Sequence, residues 1–135
     1  MMGRIRVAAI IIQDHKLLLL KGKRSNEFWT PGGGREEGET DMACLKRELQ
    51  EELMLSVQSA LFFGEYKGHS YYNPTMELTQ RVYIVNISGT PRPSAEIGAI
   101  RWLSKEEYYT EEYAKVAIPQ EREKIFPELI RRGVW

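Results

Sequence analysis

The residues best suited to chemistry are Glu48, Glu51 and Glu52, which lie at positions i, i+3 and i+4 of one segment. That segment, DMACLKRELQEEL, contains no Gly or Pro and follows Thr40, a suitable N-cap, so it predicts a helix over 41–53. On a helix the three carboxylates share a face and repel one another, a cost that a bound cation would reverse. Oxygen ligands without His or Cys favour Mg²⁺, with Mn²⁺ or Ca²⁺ as substitutes, over zinc.

The acidic face also has a plainer interpretation, as a solvated surface balanced by Lys46 and Arg47. Arg47 precedes Glu51 by one turn, so its planar guanidinium would hold that carboxylate in one rotamer. The neighbouring face is apolar at helical spacing and is expected to face the core through Met42, Leu45, Leu49 and Leu53. Cys44 is expected to pack closely under the segment that precedes the helix.

That preceding segment is rich in glycine, with Pro31 followed by Gly32, Gly33 and Gly34. Glycine permits positive φ and lets the backbone approach a ligand closely, which predicts a loop over 31–38. We expect this loop to fold back over the helix and to bring Glu36 and Glu39 toward the other acids. Glu39 lies at the helix entrance, so a charge that complements the helix dipole is its plainer role.

From Gly33 to Leu55 the chain reads G-x5-E-x7-R-E-L-x-E-E-x-M-L, which resembles the box of the Nudix family. The resemblance implies an α/β protein, a Nudix-type α/β/α sandwich with a mixed β-sheet between helices and a loop-helix-loop catalytic motif. Met54 stands where the family has a glycine in the left-handed conformation. Because that conformation costs a non-glycine residue about 1–2 kcal/mol, we expect the helix to run on or to end differently.

The resemblance also implies which residues act. Metal ligands would be the Gly32 carbonyl, Glu48, Glu51, Glu52 and Glu96. The base that takes a proton from the attacking water would be Glu52 or Glu51, with Glu96 or Glu39 as second choice, and Arg47 would orient the acids. Lys21 and Arg35 are candidates for contacts to substrate phosphates, although each also reads as a plain surface charge.

The implied activity is Mg²⁺-dependent hydrolysis of a nucleoside diphosphate linked to another group X. Substrate candidates are ordinary or oxidised nucleoside triphosphates, ADP-ribose, nucleotide sugars and dinucleoside polyphosphates. Base-stacking candidates are the aromatic residues Phe28, Trp29, Tyr71, Tyr72 and Tyr83. The alternative is a Nudix-fold domain that binds a nucleotide as a sensor without turning it over. His15 and His69 are expected to be surface residues in turns.

Composition and charge limit the number of domains, the partners and the location to be expected of the protein. The chain has 135 residues, 42% of them hydrophobic, with zero formal net charge, and predicts one domain over 1–135. Without a basic patch we expect neither a nucleic-acid polymer nor a membrane as partner, but a small nucleotide remains compatible. A single cysteine excludes an internal disulfide, and the apolar run Val7 to Ile12 is too short for a signal or membrane segment. The protein is therefore expected in the cytoplasm, as a monomer or homodimer.

Alternating and β-branched runs predict the strands. They are Arg4 to Gln13 and Lys16 to Lys21 as a hairpin around Asp14-His15, then Leu55 to Tyr66, Glu77 to Ser88 and Ala99 to Leu103. Further helices are predicted at Lys105 to Tyr109 and Pro119 to Arg132, with Gly133 as C-cap and a kink or division at Pro127.

Overall fold

The computed structural model describes residues 3–70, 73–110 and 118–135. The strands are β1 (Arg4–Ile10), β2 (Ile12–Gln13), β3 (Lys16–Gly22), β4 (Gly32–Gly34), β5 (Ser56–His69), β6 (Glu77–Ser88) and β7 (Ile97–Ser104). The helices are α1 (Asp41–Leu53), α2 (Lys105–Tyr108) and α3 (Phe126–Arg131), the last preceded directly by a π-helical turn at Glu121–Ile125.

The strands form two sheets where the sequence predicts one. A four-stranded mixed sheet has the order β4-β1-β6-β5, with β1 and β6 parallel, and a three-stranded antiparallel sheet has the order β2-β3-β7. The predicted strand from Arg4 to Gln13 is wrong in one respect, because it is interrupted at Ile11. Its first part, β1, belongs to the four-stranded sheet and its second part, β2, to the three-stranded sheet. The predicted hairpin turn is confirmed, since Asp14 and His15 have φ of 51° and 64°, as a tight two-residue turn requires.

The alternation of side chains along β1 creates two apolar layers. Val7 and Ala9 pack with the buried residues of α1, and Ala8 and Ile10 pack with those of the C-terminal helix. Each face of the central strands is therefore covered by a helix, and the predicted α/β/α sandwich is confirmed.

Helix α1 has the predicted bounds, and the Thr40 side chain accepts a hydrogen bond from the Ala43 N–H at 3.1 Å. Its buried stripe is Cys44, Leu45, Leu49 and Leu53, while Met42 is only half-buried. The expectation for Met54 is wrong, because this residue adopts the left-handed conformation at φ 56° and ψ 40°. Its N–H donates to the Gln50 carbonyl at 3.1 Å, so the helix ends as the family glycine would end it.

The C-terminal helical segment is divided as Pro127 predicts. Pro127 lacks an N–H, and the chain passes from the π-helical turn into α3 at Phe126. Gly133 follows with φ 74°, in the predicted position for a helix terminator. Buried Trp135 then packs on Phe126, with ring centroids 5.7 Å apart, and closes this layer.

Strand β5 is the long edge of the four-stranded sheet. Its register with β6 shifts twice, between Val57 and Ser59 and between Phe62 and Gly64, which marks two bulges. Leu61 and Phe62 are exposed on this strand.

Candidate active site

The glycine segment was expected to be a loop, but Gly32–Gly34 form the short edge strand β4, antiparallel to β1. The close packing of β4 on α1 and β1 explains why glycine occupies these positions. A Cβ at Gly33 would lie 2.4 Å from the Glu48 carboxylate carbon, and one at Gly32, where φ is 134°, would lie 2.1 Å from the Val7 oxygen. The expected folding of this segment onto the helix is confirmed, because only bare backbone fits between β1 and α1.

The helix acids meet β4 from one side. Glu48 and Glu52, one turn apart, face the glycine strand, and the Gly32 N–H donates to Glu52 Oε1 at 2.9 Å. Glu51 lies at the rim with its side chain 55% exposed. Within the described residues, no group of three or more His, Cys, Asp or Glu side chains is arranged as a metal site.

Burial controls the proton affinity of the two inner acids. Desolvation raises the pKa of Glu52 to about 7, although the Gly32 N–H and the Arg6 charge oppose the rise. Desolvation also raises the pKa of Glu48, against a hydrogen bond from Arg47. In the part of the chain that the structure describes, Glu52 has no ion-pair partner, so this half-buried carboxylate is left ready for a proton or a cation.

Arg47 organises the acids that lie outside this pair. Its Nε and Nη2 donate to the two oxygens of Glu39 at 2.7 and 2.9 Å, and its Nη1 donates to Glu48 at 2.8 Å. Glu51, the predicted partner, is 3.7 Å away, so its contact with Arg47 is the looser one. The hydrogen bonds from Arg47 hold the pKa of Glu39 at about 2, and Glu39 is therefore an ionised brace at the entrance of α1.

Arg47 and Cys44 also fasten β4 to the helix. Arg47 Nη2 donates to the Gly34 carbonyl at 3.2 Å, and the buried Cys44 thiol donates to the Gly33 carbonyl at 3.5 Å. Burial raises the pKa of Cys44 to about 11, so its sulfur stays a thiol. The predicted packing role of Cys44 is confirmed.

A cavity of about 320 Å³ opens beside β4. Glu48 borders it on the α1 side, and Arg4, Arg6, Trp29, His69 and Gln120 line the remainder. Trp29 was among the predicted stacking residues. His69 was expected in a turn, which is wrong, because it ends strand β5 at the cavity wall.

The floor of the cavity is a buried polar network that sequence reasoning missed. Arg6 Nη1 donates to Thr30 Oγ1 at 3.0 Å and to Gln80 Oε1 at 2.9 Å, and it lies 3.5 Å from Glu121. Glu121 is fully buried and accepts from the Thr30 hydroxyl at 2.7 Å and from the Thr30 N–H at 3.1 Å. Burial raises the pKa of Glu121, and the Arg6 charge opposes the rise. The available signal was weak: Arg6 and Gln80 are polar residues in predicted strands, but both strands carry other polar residues as well.

The predicted phosphate contacts lie elsewhere. The Lys21 ammonium sits 5.8 Å from the centroid of the Phe28 ring, and Arg35 pairs with Asp41 at 2.7 Å. Neither is among the residues that line the cavity. Lys21 is held by its place on strand β3, and Arg35 is held by its ion pair with Asp41 at the start of α1.

The other candidates are also placed. Phe28 is buried in the core, and the Tyr83 hydroxyl donates to the Asp41 carboxylate, so neither presents a free ring to the cavity. Tyr71 and Tyr72 lie outside the described residues. Glu96 is exposed just before β7, where its carbonyl accepts from the Lys23 N–H at 2.9 Å.

Comparison with known proteins assigns the family. The model of the NUDIX domain matches residues 2–129. A protein of Mycobacterium tuberculosis named "Putative 8-oxo-dGTP diphosphatase 2" is 33% identical over 114 residues, which cover 81% of this chain and 79% of that protein.

Solved structures share the fold. A Nudix hydrolase from Nitrosomonas europaea superposes with a TM-score of 0.80 at 20% identity, covering 98% of this chain and 90% of that one. The E. coli ORF135 protein gives 0.77 at 23% identity, covering 99% and 94%. In the described residues, no helix has the length and apolar character needed to cross a bilayer. The acids on α1, the glycine strand and these matches together show that the chain belongs to the Nudix family, as a MutT-like hydrolase.

Proposed function

We propose that this hydrolase is a Mg²⁺-dependent pyrophosphohydrolase that cleaves a nucleoside diphosphate linked to X by attack of water at phosphorus. The observation that carries the proposal is the half-buried Glu52 carboxylate, which accepts from the N–H of Gly32, a residue of the cavity wall, and has no ion-pair partner among the described residues. Withdrawing an unpaired carboxylate from water is unfavourable, so its position indicates a role in chemistry.

The residues present fit a hard divalent cation. Glu48 and Glu52 offer carboxylate oxygens from α1 against Gly33 and Gly32, with no nitrogen or thiolate ligand between them. Oxygen-only ligands suit Mg²⁺, with Mn²⁺ as a substitute. The residues that would hold the ion are Glu48, Glu51, Glu52 and the Gly32 carbonyl, with Glu96 as a further candidate. When bound, the ion would polarise phosphate oxygens and neutralise the charge that develops on them.

Residues of the chain itself would accept the proton and orient the acids. The Glu52 carboxylate, which faces the Gly32 N–H, is a first-choice base to accept a proton from water. Glu51, at the rim, is the other first-choice base. Glu39 is a weaker choice, because its two oxygens are occupied by Arg47 and its pKa is about 2. Arg47 therefore acts by orienting Glu48 and Glu39.

The cavity would take the nucleoside. Its volume of about 320 Å³ is in the range of small-ligand sites, and Trp29 offers a ring on which a base can stack. Gln120 Nε2 is buried with no acceptor among the described residues, and a carbonyl oxygen of the base would supply one. The relative named an 8-oxo-dGTP diphosphatase favours nucleoside triphosphates, including oxidised ones, ahead of ADP-ribose and nucleotide sugars.

The test is a substrate panel with Mg²⁺, run beside Glu52→Gln. Ordinary and oxidised nucleoside triphosphates, ADP-ribose, nucleotide sugars and dinucleoside polyphosphates would be incubated and the products separated by chromatography. We expect turnover of a nucleoside triphosphate that is lost in the variant. No turnover across the panel, with Mg²⁺ still raising the melting temperature, would favour the nucleotide-sensor alternative instead.

A further inference from the structure

Arg4 is the cationic residue of this site that has no assigned role. It lies at the start of β1 and borders both the cavity and a shallow groove along residues 35–39. A Cβ at Gly34 would lie 2.6 Å from Arg4 Nη2 and 2.9 Å from its Nε, so the guanidinium rests on the backbone of β4. The glycine makes room for this contact.

The other arginines around the box are already engaged. Each has a carboxylate partner within 3.5 Å: Arg6 with Glu121, Arg35 with Asp41, Arg47 with Glu39, and Arg81 with Asp41 and Glu65. Within the described residues, Arg4 has none. A guanidinium beside an acid-rich site yet paired with no acid is available to an anionic ligand.

The geometry of β4 places this cation opposite the acids. Gly33 faces α1 and Glu48, whereas Gly34 lies across from Arg6 and faces Arg4. Neighbouring residues of a strand point to opposite faces, so only the backbone of a glycine strand separates the two groups. A polyphosphate laid across this edge would have carboxylates and their cation on one side and a guanidinium on the other.

We propose that Arg4 is a substrate-binding residue whose guanidinium takes a non-reacting phosphate of the nucleotide as the polyphosphate crosses the glycine edge strand. The inference rests on the proposed function, because it needs a phosphorylated substrate in the cavity. Planar guanidinium donors match phosphate oxygens in pairs, so Arg4 contributes binding and alignment.

The test compares Arg4→Gln with Arg131→Gln, which removes the same charge from a surface pair with Glu128 on α3. For the substrate that the panel identifies, we expect Arg4→Gln to raise KM about 10- to 100-fold, the range for one charge-assisted contact, with kcat nearly unchanged. Arg4→Lys should recover part of the loss. Arg131→Gln should match the wild type in both constants.

A second variant tests the geometry without removing the charge. Gly34→Ala places a methyl group against the flexible end of Arg4, which can swing away without unfolding β4. We expect it to raise KM in the same direction while the melting temperature stays close to that of the wild type.

Inhibition by fragments of the substrate distinguishes a contact to phosphate from a contact to the base. Tripolyphosphate should inhibit the wild type and inhibit Arg4→Gln more weakly, while the nucleoside alone should act equally on both. An unchanged KM in Arg4→Gln, a loss confined to kcat, or weaker inhibition by the nucleoside would overturn the role proposed for Arg4. Absence of turnover by the wild type would instead count against the proposed function.

Discussion

Each face of the central sheet has a glutamate drawn in from solvent, fully buried Glu121 on one and half-buried Glu52 on the other, and their surroundings differ. On the α3 face, Glu121 receives two hydrogen bonds from Thr30 and lies beside the Arg6 guanidinium. On the α1 face, Glu52 receives one backbone hydrogen bond, from Gly32. Burial raises the pKa of both acids and the Arg6 charge opposes both rises, but among the described residues only Glu121 has an arginine within ion-pair distance.

This difference separates a glutamate with a structural role, Glu121, from one with a role in the proposed chemistry, Glu52. A satisfied buried network fixes the C-terminal helix against Thr30 and so sets where β4 begins. The acid on the other face is left with an unmet need for positive charge, which destabilises the free protein and, under the proposed function, is met when cation and substrate bind.

The strongest way to sharpen this contrast is Glu52→Gln. We expect kcat to fall about 10²- to 10⁴-fold, the range for loss of a general base, as measured by initial rates with Mg²⁺. Glu37→Gln, an exposed acid of the preceding loop, is the control and should keep full activity. Near-normal turnover in Glu52→Gln would remove this residue from the mechanism.

The same variant should gain stability in the absence of divalent cations. Because the pKa of Glu52 is raised from 4.5 to about 7 in the folded state, the folded protein holds a proton that the unfolded chain has lost between those values. Ionisation of Glu52 therefore lowers wild-type stability as pH rises through that window. Urea unfolding should show Glu52→Gln more stable by about 1–3 kcal/mol at pH 8 and equal near pH 4.5.

On the other face, Arg6→Met should have the opposite effect on stability. It leaves Glu121 buried without its cation, and breaking a buried pair costs about 3–5 kcal/mol, to be read from urea unfolding at pH 7. Adding Glu121→Leu should recover part of the loss, because the orphaned acid is gone. A loss no larger than that of Arg131→Met would show that the network is not a stabilising element.

Arg47→Lys probes how the acids are held. A lysine keeps the charge but cannot serve Glu39 and Glu48 together, so we expect kcat/KM to fall about 10- to 100-fold with little change in melting temperature. Lys46→Gln, on the neighbouring exposed position, is the control. Full activity in Arg47→Lys would mean that charge alone suffices.

The smallest effect is expected at the end of α1. Met54 has a left-handed backbone conformation and an exposed side chain. Met54→Gly should therefore remove backbone strain and stabilise the protein by about 1 kcal/mol without changing turnover. Urea unfolding measures it. A decrease in stability would show that Met54 makes contacts worth more than the strain.

Local patterns predicted α1 well, because its bounds, its cap at Thr40 and its apolar stripe depend on residues close together in the chain. The network of Arg6, Thr30 and Glu121 was not predictable, since these residues meet only after the strands pair. The partner of Arg47 was also missed. Helical spacing favoured Glu51, whereas the fold places Glu39 against the Nε–Nη2 edge of the guanidinium.

The two bulges of β5 also affect how the protein behaves in solution at high concentration. This strand is a long sheet edge that carries exposed Leu61 and Phe62, and such edges are templates for pairing with another chain. The register shifts at Ser59 and Gly64 bend the strand and interrupt its row of free backbone groups. A straight strand from a neighbouring molecule would therefore find no continuous ladder along β5, which opposes edge-to-edge pairing there.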